Sequence, residues 1–300
     1  MAGPRDERTH FLYLKWSDLY NREKPFQLFL DIPKESPDQR KSNLVYEEGP
    51  EEIVHDVRGR ESEFSIDNNG FTYIKHSTKL SSEQFEDHAA VEGCYLPECE
   101  KLLRKHLEGV DRVHFFDWRL RNNSLSKWYG KLVNLSDPAQ PLPPEKHVHV
   151  EPRLTVTVDQ APDAVVRRVH LHLGDDAEYL LKGRVRTINV WKPLNGPIED
   201  WPLAVCDGKT VKDENMIETD HIRRQYDGTT MYAQYSEGMK WYFMSQQQND
   251  DVLLLKNFDS NSDVLARYAP HASFGLANEG AAPRQSIEVR ALVFTYPKNC

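Results

Sequence analysis

The chain has 300 residues, 39% of them hydrophobic, which is enough for a sizeable core in one large domain or two small ones. Its 47 acidic against 38 basic side chains give a net charge of −9 without any dense basic stretch, which argues against nucleic acid or an anionic membrane as a partner. No apolar run approaches a membrane-spanning length and the first eight residues lack the apolar core of a signal peptide, so the expectation is a soluble, cytoplasmic protein acting on a small molecule or another protein.

Residues 34–63 are mostly polar and charged and read as an irregular surface arm. Ser81-Ser82-Glu83-Gln84 reads as a helix start, and residues 97–107 as a second helix, opened by Pro97 and ended by Gly109. A Pro-rich stretch, 137–144, divides a mixed part, 1–140, from a strand-rich part, 145–300, within what reads as a single domain. Strands are expected over 154–159, 184–192, 230–235, 240–245, 252–258 and 286–296, with one short helix at 175–182. His170 and His172 read as alternating positions on a solvated strand. Many short strands without regular strand-helix alternation favour a mostly-β jelly roll, a double-stranded β-helix of cupin type with flanking helices. Cys94, Cys99, Cys206 and Cys300 have no zinc-type spacing and are too few for a disulfide scaffold, so they read as reduced thiols.

The chemistry concentrates near the end of the chain. In Arg284-Gln285-Ser286-Ile287-Glu288-Val289-Arg290 the strand period puts Arg284 and Ser286 on one face and Ile287 and Val289 on the other. A guanidinium beside a hydroxyl can clamp a carboxylate, and His271, thirteen residues earlier, can hold a metal. Trp191, Trp241, Tyr242 and Phe243 read as core or cavity wall.

Several segments carry a resemblance in one order: Val185-Arg186-Thr187-Ile188-Asn189-Val190-Trp191-Lys192-Pro193-Leu194, Pro202-Leu203-Ala204-Val205-Cys206-Asp207, Leu255-Lys256-Asn257-Phe258-Asp259-Ser260, Pro270-His271-Ala272-Ser273-Phe274 and the Arg284 to Arg290 run. From about residue 56 onward the chain resembles the hydroxylase/desaturase (cephem-methoxylase-like) family of iron(II)/2-oxoglutarate-dependent oxygenases of secondary metabolism. The resemblance implies a double-stranded β-helix with a His-x-Asp pair, a distal histidine and an Arg-x-Ser clamp, using Fe(II) and 2-oxoglutarate. Asp159 and His271 then match two metal ligands, and Arg284 with Ser286 match the clamp.

One position departs. The family's first histidine is Thr157, a neutral and weak ligand, so iron affinity is expected to fall. A rival pair, His149-x-Glu151, lies on an alternating run with His147, whose first reading is polar surface residues of an edge strand. Two functions follow. In the first, the incomplete iron site makes the chain a structural or regulatory subunit, paired as a heterodimer with an active paralogue or as a homodimer. In the second, it is an active oxygenase with atypical ligands that hydroxylates or desaturates a natural-product intermediate.

Overall fold

Strands dominate the computed structural model, which describes residues 5–122, 147–149, 154–223, 227–278 and 280–298. In chain order they are β1 (Glu7–Leu14), β2 (Phe26–Leu28), β3 (Tyr46–Asp56), β4 (Phe71–Lys75), β5 (Arg112–Asn122), β6 (His147–His149), β7 (Thr157–Val158) and β8 (Arg184–Pro193). They continue with β9 (Leu203–Cys206), β10 (Met216–Ile222), β11 (Asp227–Ala233), β12 (Trp241–Phe243), β13 (Asp251–Asp259), β14 (His271–Ser273) and β15 (Gln285–Thr295). Among the described residues they form a nine-stranded sheet, ordered β1-β3-β12-β9-β14-β7-β11-β10-β2, and a six-stranded sheet, ordered β4-β13-β8-β15-β5-β6. Residues on both sides of the Pro-rich stretch supply strands to both sheets. The stretch itself lies outside the described residues.

The two sheets share a buried apolar layer. Phe71 and Tyr73 of β4, Trp191 of β8 and Leu253 and Leu255 of β13 meet Val205 of β9 there, with Tyr242 of β12 packed against them. On the far face of the six-stranded sheet, Ile188 and Val190 of β8 and Ile287, Val289 and Ala291 of β15 pack under helix α1 (Leu96–His106). Pro97 in the first turn costs no hydrogen bond that the helix needs, and Cys99, Leu102 and Leu103 form its buried stripe. Because β15 is covered on both faces, only the alternation of polar and apolar residues distinguishes its two sides.

Most expected elements form. The strands expected at 184–192, 252–258 and 286–296 appear as β8, β13 and β15, and the helix expected at 175–182 shortens to Ala177–Leu180 after a 3-10 turn. At 81–84 there is a 3-10 turn, Glu83–Glu86, rather than a longer helix, and the Ser82 hydroxyl is donated to the Leu194 carbonyl at 2.5 Å. Two expectations are corrected. The arm at 34–63 contains the eleven-residue strand β3, which pairs with β1 from Glu7↔Val54 to Leu14↔Tyr46. Glu47, Glu48 and Glu51 are exposed, and its pairing partner, not its own composition, makes it a strand. His170 and His172 lie on helix α2 (Pro162–Leu173), where Val165, Val169 and Leu173 recur at four-residue spacing on the buried side.

The register of β8 against β15 starts at Arg184↔Thr295, and Gly183 sits just before it. A Cβ at Gly183 would collide with the Thr295 carbonyl oxygen and lie 3.0 Å from the Pro297 nitrogen. Backbone cannot yield as a side-chain tip does, so Gly183→Ala is expected to cost about 2 kcal/mol in a urea titration. A loss below about 0.5 kcal/mol would show that this corner adapts freely.

Candidate active site

On β15 the even-numbered residues Ser286, Glu288 and Arg290, with Arg284 just ahead of them, form one polar row, and the odd-numbered Ile287, Val289 and Ala291 pack beneath α1. The row runs from the expected clamp at Arg284 to Arg290, which reaches Asp159 of the other sheet. Asp159 directly follows β7. Its N–H donates to Asn257 Oδ1 at 3.0 Å, and its carbonyl accepts the Thr230 hydroxyl at 3.2 Å.

The Asp159 carboxylate is divided among three neighbours. Oδ2 accepts hydrogen bonds from Arg290 Nη2 at 3.0 Å and from Asn189 Nδ2 at 2.9 Å. Oδ1 faces His271 Nε2 at 3.5 Å. The strands explain this meeting, because His271 of β14 is paired directly with Thr157 of β7, two residues before Asp159. His271 Nδ1 lies 3.3 Å from the Ala269 carbonyl, which can only accept. That bond places a hydrogen on Nδ1 and turns Nε2 toward the carboxylate, the orientation a metal-binding imidazole needs. Burial opposes the charge on Asp159, yet Arg290 and His271 hold its carboxyl well below the usual range. Burial likewise opposes the His271 cation, and the same carboxylate outweighs it and raises the imidazole.

A wider ionic chain supports the pair. Glu288 accepts from Arg121 Nη2 at 2.5 Å, from Arg290 Nη2 at 3.2 Å and from Asn189 Nδ2 at 2.6 Å. Arg290 also faces Asp117 at 3.5 Å, and Asp117 binds Arg119 at 2.8 Å. Glu288, Arg290, Asn189 and Asn257 were not singled out from the sequence. The first two continue the alternation that marked Arg284 and Ser286, so the same signal, carried four residues further, identifies them.

The clamp residues are in a different state. Arg284 is 4% exposed, and it donates to the Trp201 carbonyl and to Ser273 Oγ, the latter at 3.2 Å. It forms no ion pair with a carboxylate among the described residues, and burial lowers its guanidinium to about 10. Its Nε and the fully buried Ser286 Oγ have no hydrogen-bond partner. Buried polar groups are rarely left so, and a guanidinium and hydroxyl left together are suited to a carboxylate. The Trp191 ring lies 5.8 Å from the guanidinium carbon and walls this end.

The residues therefore fit a 2-oxo acid carboxylate fully, and an iron ion at two of three places. Asp159 and His271 face each other closely enough to share a cation, with Thr157 beside them in register. No group of three or more His, Cys, Asp or Glu that could hold a metal occurs among the described residues. Of the alternative pair, only the His149 backbone is described. His149 lies on β6, at the edge of the six-stranded sheet and paired with Asn122, while Asp159 and His271 adjoin neighbouring strands of the other sheet. Glu151 is outside the described residues.

Comparison with known proteins agrees with this architecture. The Oxidoreductase/YMDC permease-like domain family matches residues 11–294. No helix among the described residues is long and apolar enough to cross a membrane. The Fe(II)/2-oxoglutarate-dependent dioxygenase nvfI of Aspergillus novofumigatus is 33% identical over 248 residues, covering 80% of this chain and 81% of that protein. The hydroxylase/desaturase CTB9 of Cercospora beticola is 31% identical over 255 residues, covering 80% and 75%. A solved structure of the iron and alpha-ketoglutarate-dependent endoperoxidase NvfI superimposes with a TM-score of 0.79 at 29% identity, covering 97% of this chain and 98% of that one. The mostly-β jelly roll expected from the sequence is thus the fold of a known oxygenase, and the chain belongs to the hydroxylase/desaturase family of iron(II)/2-oxoglutarate-dependent oxygenases.

Proposed function

We propose that the chain is an iron(II)/2-oxoglutarate-dependent oxygenase that hydroxylates or desaturates a natural-product intermediate, with iron held by Asp159 and His271 and the co-substrate by Arg284 and Ser286. The observation that carries this reading is the buried, carboxylate-free Arg284 beside the unpartnered Ser286 hydroxyl, on the same polar row as the Asp159 and His271 pair. Arg284 would bind the distal carboxylate of 2-oxoglutarate and Ser286 would donate its hydroxyl to it. Arg290 and Asn189 occupy Asp159 Oδ2 and leave Oδ1 turned toward His271. The Ala269 carbonyl fixes the imidazole, and Trp191 restricts water at the clamp. Iron(II) together with 2-oxoglutarate supplies the oxygen-activating chemistry when both are bound. Asp159 and His271 would hold the iron with two protein ligands rather than three.

Thr157 favours a second reading, in which the chain is the structural or regulatory partner of an active paralogue. The names of the relatives weigh toward the first. An anaerobic iron(II) titration with and without 2-oxoglutarate, read by charge-transfer absorbance, separates the two. The oxygenase reading expects the band in the wild-type chain, and its absence at saturating metal favours the partner subunit. Thr157→His is expected to tighten iron binding by at least about tenfold, because an imidazole replaces a neutral hydroxyl. No gain would place the third ligand elsewhere.

A further inference from the structure

Side chains along β8 alternate between the faces of the six-stranded sheet. Asn189 and Trp191 face Asp159 and Arg284, whereas Ile188 and Val190 pack under α1. Lys192 follows the second set. It is 2% exposed, and its Nζ lies 5.4 Å from the ring centre of Phe85 and 5.8 Å from that of Tyr95.

Among the described residues Lys192 has no side-chain hydrogen bond or ion pair, and only more distant charges act on it. The two nearest carboxylates are already engaged: Asp250 pairs with Lys75 at 3.0 Å, and Glu98 pairs with His76 at 3.1 Å. Burial lowers the Lys192 amine to about 8. A pocket of about 200 Å³ opens at this amine, walled by Phe85, Leu80 and Leu194, with Ser77, Thr78 and the Lys75-paired Asp250 among its polar residues. Lys192 is therefore a buried cation with two aromatic rings near it but no counterion among the described residues, at a position where an apolar side chain of similar length would cost less. Ring faces compensate a buried ammonium only in part, and a residue that breaks the local rule without full compensation marks a candidate functional position.

We propose that this pocket is a second ligand site, on the opposite face of the sheet from the Arg284 clamp, that takes a small carboxylate with an apolar body. The carboxylate pairs with the Lys192 ammonium, and the body lies against Phe85, Leu80 and Leu194. Apolar side chains with a few placed polar groups are the usual make-up of a small-molecule pocket, and the Asp250 carboxylate in the lining is neutralised by Lys75. The inference does not depend on the reading of the active site.

Benzoate is a suitable probe, titrated calorimetrically into the full chain with 2-oxoglutarate at saturation to keep the Arg284 clamp filled. The expected result is saturable one-to-one binding to the wild type and to Arg284→Ala, weakened at least about tenfold in Lys192→Met. Ligand-free Lys192→Met is expected to melt no lower than the wild type, because it removes an unpaired buried charge. In the wild-type chain benzoate is also expected to protect Lys192 from reductive methylation, read by mass spectrometry. The proposal is overturned by absence of saturable binding to the wild type, by equal affinity in Lys192→Met, by loss of binding in Arg284→Ala alone, or by unprotected methylation.

Discussion

Arg284→Ala is expected to raise the 2-oxoglutarate concentration needed for half-saturation by roughly a hundredfold, while leaving the fold intact. Truncating one partner of a buried charged pair costs about 3 kcal/mol of binding, and every 1.4 kcal/mol is about tenfold. The fold should tolerate the change because Arg284 has no carboxylate partner among the described residues. Its bonds are to the Trp201 carbonyl and Ser273, and its Nε has none. Arg284→Lys keeps the charge and loses the planar fork, so it should recover only part of the affinity. The readout is 2-oxoglutarate binding measured by the charge-transfer band, together with the melting temperature of each variant. An unchanged 2-oxoglutarate requirement in Arg284→Ala would remove the clamp from the proposed function.

Asp159→Ala should show the opposite balance, with a large loss of stability even when no metal is present. Asp159 stands between Arg290 at 3.0 Å and His271 at 3.5 Å, all three largely buried. Removing one member of a buried ion pair costs about 3–5 kcal/mol, because the remaining charge is left without compensation. Arg290 retains Glu288 and Asp117, which places the expected loss near the lower end, at about 3 kcal/mol. Asp159→Asn keeps the shape and one acceptor and should lose less. Urea titration of the metal-free protein measures both. A loss below about 1 kcal/mol for Asp159→Ala would mean that the Arg290 contact contributes little in solution.

The contrast between these two variants separates binding machinery from structural support. Arg284 and Ser286 are buried polar groups awaiting a partner, whereas Asp159, Glu288 and Arg290 already satisfy one another. Iron at Asp159 and His271 would therefore enter a carboxylate whose second oxygen is already anchored. Arrangements of this kind hold a ligand in one orientation and limit the reorganisation needed on binding.

The sequence by itself determined the mostly-β architecture, the long strands β8, β13 and β15, helix α1 and the shared face of Arg284 and Ser286, because each carries a periodic signal within one segment. Arg284 and Ser286 were legible for that reason, being two residues apart on one strand. Only the tertiary structure decided that β3, rich in glutamate, is a strand and that the helix α2 turns His170 and His172 away from a strand geometry. It also brought Asp159 and His271 together. Asp159 and His271 are more than a hundred residues apart and meet because β7 and β14 are adjacent, whereas His149, nearer in sequence to Asp159, lies at the edge of the other sheet. Strand order over long separations is set by how the two sheets bury their shared layer, and no local pattern encodes it. The same holds for Lys192, whose isolation becomes visible only when the groups around it are seen to be paired with others.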